Sequence, residues 1–183
     1  MIFGIPLRAL RAALFGVIIT FVALPIMALP YTADDTANRN WPMYPLSEQI
    51  SSAWHINRAW MQEQGRFFPG GSVYALTMWN LLSSRAAYMT YLALLNILVV
   101  LLVAFVAWRI TRSPQMAALA GFATAMCLQL RFGALDGIAS FGGLVLFTLS
   151  LTIIAALLAS HVLAGGSRWW VVGIVLAWSW AIT

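Results

Sequence analysis

Apolar runs of span length, broken by short polar turns, make up most of this 183-residue chain. The runs cover residues 12–29, 86–108, 116–130, 137–163 and 169–183. A helix needs roughly 20 apolar residues to cross a bilayer core. The pattern therefore predicts an all-α, polytopic membrane protein of about five transmembrane helices in a single membrane domain. Arg8 and Arg11 precede the first run and Pro25 would kink it, which neighbouring helices tolerate. A cleaved signal peptide is the alternative for that run, with small residues after a basic start. Arg85 precedes the second run, and Arg109 and Arg112 follow it, with a turn at Thr111-Arg112-Ser113-Pro114. The third run is rich in small residues, including Ala117, Ala118, Ala120, Gly121 and Ala123, which suit close helix packing. Arg131-Phe132-Gly133-Ala134-Leu135-Asp136 and Gly165-Gly166-Ser167-Arg168 form the next two turns.

One long polar stretch interrupts this pattern, the loop over residues 30–85. Within it, residues 46–62 have helical periodicity. Leu46, Ile50, Ala53, Trp54, Trp60 and Met61 fall on one side of the wheel, and Glu48, His55, Arg58 and Gln62 on the other. Pro45 suits the start of a helix. Such a helix is expected to lie in the plane of the membrane interface, with its tryptophans among the headgroups.

Composition strengthens the membrane reading. The chain is 62% hydrophobic and 8% charged, with a mean hydropathy of +0.88, whereas soluble domains carry about 25% charged residues. The formal net charge is +5, and every basic residue is an arginine. These arginines stand singly at the ends of apolar runs, as topology and headgroup anchors do. No basic patch interleaved with aromatics points to nucleic acid. Cys127, the lone cysteine, allows neither an intrachain disulfide nor a cysteine metal cluster. With the N-terminus cytoplasmic, the N-terminus and the two short inner loops are basic and free of acid, as the positive-inside rule asks. Asp34, Asp35, Glu48, Glu63 and Asp136 then all fall on the extracytoplasmic side of the plasma (inner) membrane, as does the first loop.

The acids supply the candidate chemistry. Adjacent carboxylates at Asp34 and Asp35, at the outer end of a span, could ligate a divalent cation such as Mg2+ or Mn2+ that neutralises a leaving phosphate. Alternatively, one of them could accept a proton from a substrate hydroxyl. The plainer alternative is a solvated loop or a helix cap. Asp136, in the second outer loop, is either a further site carboxylate or the cap of the following helix. Arg66 (beside Phe67 and Phe68) and Arg131 are candidate phosphate partners through their planar forks, or interfacial anchors. His55 lies on the polar face of the predicted interfacial helix, as a substrate contact or a solvated histidine. His161 has no partner close in sequence. Signatures for Ser/His/Asp catalysis, a P-loop or zinc ligation are absent from the sequence.

An acidic pair after the first span, an amphipathic helix, the Gly65-Arg66-Phe67-Phe68-Pro69 stretch and an acid in the second outer loop together resemble the N-terminal portion of GT-C-type membrane glycosyltransferases. The resemblance implies transfer of a sugar from a polyprenyl-phosphate donor to a glycan or lipid-linked acceptor, with the anomeric carbon inverted. It implies that Asp34 or Asp35 activates the acceptor or positions a metal, that Asp136 is a second acidic site residue, and that Arg66 or Arg131 faces the donor phosphate. Such enzymes usually have more spans, so an N-terminal piece or a shortened relative is expected. Two other classes compete with this one. A non-catalytic membrane protein or assembly partner would need no site at all. A transporter subunit would place ionisable groups within its spans, and the predicted spans carry only His161, near one end.

Overall fold

The computed structural model describes Gly16, residues 20–21, 24–28, 31, 33–65, 69–129, 143–167 and 169–182. Among the described residues, all regular structure is helical. In chain order these are α1 (Ala33–Asn38), a 3-10 turn (Trp41–Met43), α2 (Leu46–Gln64), α3 (Pro69–Leu81), α4 (Arg85–Thr111), α5 (Pro114–Gln129), α6 (Leu144–Leu163) and α7 (Trp170–Ile182). Two of them, α4 and α6, are long and apolar enough to cross a membrane. The predicted runs over 86–108 and 116–130 correspond to α4 and α5, and 169–183 to α7. The run over 137–163 is helical from Leu144 onward, and its first residues lie outside the described ones. Of the run over 12–29, residues 24–28 are helical, and Ile26 is buried.

The chain divides into two compact units, Met1–Leu29 with Met89–Arg131 and Pro30–Tyr88 with Phe132–Thr183. In the first unit, α4 buries Leu92, Ala93, Asn96, Val99 and Val100, a set repeating at three and four residues as one helix face does. Helix α5 approaches this face closely. A methyl group on Gly121 would sit 3.3 Å from the Ala104 Cβ, so the small residue lets two backbones meet. The turn between the helices is built locally. Arg112 takes a left-handed conformation (φ 55°) to end α4, Ser113 Oγ accepts from Met116 N–H at 3.3 Å, and Pro114 opens α5 where its missing N–H costs nothing.

In the second unit, the predicted loop proves to be mostly helix. Helix α2 matches the expected 46–62 segment and ends at Gly65, whose φ of 64° suits a left-handed cap. Helix α3 departs from the expectation of open loop. Pro69-Gly70-Gly71 reads as a turn, yet proline is favoured at a first helical position, and Val73, Tyr74, Leu76 and Trp79 behind it supply helical spacing. Tyr74 and Trp79 are buried. Tyr74 stacks on Phe147 of α6 with ring centroids 4.8 Å apart. Helices α6 and α7 form a hairpin through Gly165 and Gly166, with Gly173 against Leu158.

The wheel over α2 also needs correction. Its buried positions are Gln49, Ala53 and Asn57, so Ala53 belongs to the inward face rather than with the apolar stripe. Leu46, Ile50, Trp54 and Met61 are exposed. The helix turns polar side chains inward because α3 offers partners for them. Asn80 Nδ2 donates to Gln49 Oε1 at 2.7 Å, Gln49 Nε2 donates to the Tyr44 carbonyl at 2.8 Å, and Asn57 Nδ2 donates to Ser72 Oγ. The contact positions lie eight residues apart on each helix and run in opposite directions. They define an antiparallel hairpin closed at Gly65.

Candidate functional site

Helix α1 carries the acidic pair. Asp35 is 1% exposed and is the sole buried acidic or basic side chain among the described residues. Burying an ionised carboxylate is costly unless hydrogen bonds compensate it. Here Tyr88, itself fully buried, donates its phenolic O–H to Asp35 Oδ2. Tyr88 is on the first turn of α4, so this bond ties α1 to the start of the longest apolar helix.

Aromatic rings close around the pair. Trp79 of α3 stacks on Tyr88 with centroids 4.5 Å apart and planes at 27°. Tyr31 leans on both, 5.9 Å from Trp79 and 5.7 Å from Tyr88. The Arg39 guanidinium lies over the outer side of this cluster, 5.6 Å from the Tyr31 ring centroid, within range of a cation–π attraction. Its backbone N–H closes the α1 turn on the Asp35 carbonyl at 3.0 Å. Trp79 Nε1 is buried without a hydrogen-bond partner among the described residues. The rings exclude water from the carboxylate, which strengthens every charge interaction made there.

The predicted site residues separate on this geometry. Asp35 is at the centre. Asp34 is its neighbour on α1, with its side chain outside the described residues, where Arg66, Arg131 and Asp136 also lie. His55 is exposed on α2, on the side opposite its buried face. His161 is exposed in the last turn of α6, beside Gly166. Burial overturns the solvated-loop reading of Asp35. The pattern of polar residues did not point to Tyr31, Arg39, Trp79 or Tyr88. Aromatic residues at the end of a predicted span read first as an interface belt, and only the fold turns these three inward.

A divalent cation of the expected kind takes about six oxygen ligands. Among the described residues, no group of three or more His, Cys, Asp or Glu side chains converges to hold one, and Asp35 Oδ2 already accepts the Tyr88 phenol. The described residues do not by themselves build a cation cage. What they do build is a buried carboxylate that accepts a phenol, beside an aromatic cluster whose Tyr31 ring carries the Arg39 guanidinium. Such a group can accept a proton or hold two helices together. No protein-family model matches the chain, and no curated protein or solved structure matches it either.

Proposed function

We propose that this chain is a GT-C-type membrane glycosyltransferase, or the N-terminal portion of one, that moves a sugar from a polyprenyl-phosphate donor to an extracytoplasmic glycan or lipid-linked acceptor. In this proposal the chain has five spans, a cytoplasmic N-terminus, and its first loop outside the inner membrane. Asp35 is the catalytic base. It takes the proton from the acceptor hydroxyl, whose oxygen attacks the anomeric carbon. The bond from that carbon to the phosphate oxygen breaks, and the lipid phosphate leaves with the electron pair, inverting the centre. Arg39 is placed to balance charge on the departing phosphate, a task that a planar guanidinium suits.

The observation that carries this reading is the buried Asp35 carboxylate, oriented by Tyr88 and ringed by aromatics. Proton transfer favours a positioned base in a shielded setting. The near-complete burial of Asp35 also favours a second reading, a non-catalytic membrane protein in which Asp35 and Tyr88 only fasten helices.

Transfer from a polyprenyl-phosphate sugar in membrane vesicles separates the two. Asn at position 35 still accepts the Tyr88 phenol through its amide oxygen but cannot serve as base. Asp35→Asn is expected to lower transfer by about 100-fold or more, as loss of a general base does, with thermal stability near that of the parent. Undiminished transfer would remove Asp35 from the mechanism. Absence of transfer by the parent chain across donors, with a marked stability loss in Asp35→Asn, would favour the second reading.

A further inference from the structure

We propose that the indole N–H of Trp79 is a specificity-determining donor of the Asp35 site. It recognises a second oxygen, next to the hydroxyl that Asp35 deprotonates, so the acceptor is a vicinal diol of the kind a sugar ring presents. The inference rests on Asp35 being the base, and it names the acceptor chemistry of that same site.

The first support is an unspent donor. Trp79 is 1% exposed, and its Nε1 is buried with no hydrogen-bond partner among the described residues. A buried tryptophan usually finds a partner for this group, because an unpaired N–H forfeits the bond it made to water. The rings around it do not supply one. Tyr88 stacks on the indole with planes at 27°, and an N–H in the plane of one ring runs alongside a ring stacked on it, not into it. Ring faces are weak acceptors in any case. Phenylalanine at position 79 would stack on Tyr88 and strand nothing. The fold alone gives no reason for the nitrogen.

The second support is its place. Tyr31, Asp35, Arg39, Trp79 and Tyr88 all belong to the same compact unit. The indole centroid is 4.5 Å from the Tyr88 ring, and the Tyr88 hydroxyl holds the carboxylate. Base and stranded donor thus share one aromatic cluster. Of its three rings, Tyr31 alone is left partly exposed, so a ligand reaches the cluster from that side, where Arg39 also lies.

The third support is chemical. The attacked oxygen gives its proton to Asp35 and needs a lone pair for the anomeric carbon. A donor held against that lone pair would oppose attack. The N–H therefore suits a neighbouring hydroxyl, which accepts through its own lone pairs. Two hydroxyls on adjacent carbons engage base and donor together, whereas a lone alcohol leaves the N–H stranded. A site with a buried polar group of this kind rejects a ligand that lacks the matching oxygen.

The full chain with Trp79 replaced by 3-benzothienylalanine, through stop-codon suppression, tests this. Its sulfur stands where the N–H was, with nearly the same shape, and donates nothing. Transfer is measured in membrane vesicles from a polyprenyl-phosphate sugar to octyl hexopyranosides, to their monodeoxy forms and to octanol. The variant is expected to unfold at the parent's temperature or above. Its KM for the glycoside acceptor should rise about tenfold or more, with kcat and the donor KM within about twofold. One monodeoxy glycoside, poor for the parent, should be no poorer than the complete glycoside for the variant. An unchanged acceptor KM would overturn the proposal, and a lower unfolding temperature beside it would show that the N–H serves the fold, through a bound water for instance. Preference of the parent for octanol over every glycoside would overturn it as well. Absence of all transfer, or full transfer by Asp35→Asn, would instead overturn the reading on which the proposal stands.

Discussion

Tyr88 and Asp35, 53 residues apart in the chain, meet in one buried hydrogen bond with the phenol as donor. The bond carries a consequence for stability that does not depend on any activity. Tyr88→Phe takes that donor away from a buried carboxylate, and losing a hydrogen bond to a charged group costs about 1.5–3 kcal/mol. Asp35→Asn keeps an acceptor and should cost less. In detergent, Tyr88→Phe is expected to unfold at a clearly lower temperature than the parent. The double variant Asp35→Asn/Tyr88→Phe should be less destabilised than the two single losses summed, because the pair is one interaction. Strict additivity would show that the contact contributes nothing.

The α2–α3 hairpin offers a second test. Asn57 is buried and donates both to Ser72 Oγ and to the Ala53 carbonyl, the latter at 2.9 Å. Asn57→Ala removes both bonds and opens a small void, for an expected loss of about 1–3 kcal/mol. Ser72→Ala removes only one partner of an amide that keeps its bond within the helix, and should cost about 1 kcal/mol or less. Chemical denaturation in mild detergent should rank Asn57→Ala well below Ser72→Ala, and equal losses would contradict the assigned bonding.

Two glycines test the turns, for different reasons. Gly65 has φ +64° and nothing within 4 Å of where a Cβ would stand. Gly65→Ala should therefore cost only the left-handed backbone, about 1–2 kcal/mol, and Gly65→Asn less, since Asn tolerates that region. At Gly166 a Cβ would strike the His161 ring and lie 2.7 Å from the His161 carbonyl. His161→Ala removes the ring but not the carbonyl, so it should not restore stability to Gly166→Ala. Full rescue, read by thermal unfolding, would show that the ring alone sets the limit.

How much of this was legible beforehand differs by element. Helices α4 and α6 announce themselves, because a long apolar run has few alternatives to a helix in lipid. The boundaries of α2 were also legible, from Pro45 and the helical period. Which face of α2 turns inward was not, since Gln49 and Asn57 are drawn in by partners on α3, and that helix begins with residues that read as a turn. Asp35 was visible as an acid at the end of a predicted span, but its burial was not. The rings that bury it come from positions 31, 79 and 88, and only tertiary structure brings these together. Propensity and period describe segments, whereas the site is made of contacts between them.

Asn96 provides the last prediction. It sits inside α4, is 2% exposed, and spends its amide N–H on the Leu92 carbonyl at 2.8 Å. Its Oδ1 is buried without a partner among the described residues. An unpaired buried carbonyl oxygen costs about 1–3 kcal/mol relative to one that is bonded. Leucine branches at the same carbon and has no polar atom to strand. Asn96→Leu is therefore expected to leave stability unchanged or to raise it, less any strain from its slightly larger volume. Asn96→Asp keeps the shape but places an ionisable group where charge cannot be solvated, and should destabilise strongly at neutral pH. Acid would relieve that loss, because protonation removes the charge. Thermal unfolding of both variants at neutral and acid pH decides the matter. A large loss in Asn96→Leu would mean that Oδ1 has a partner, such as a bound water, whose removal the leucine cannot offset.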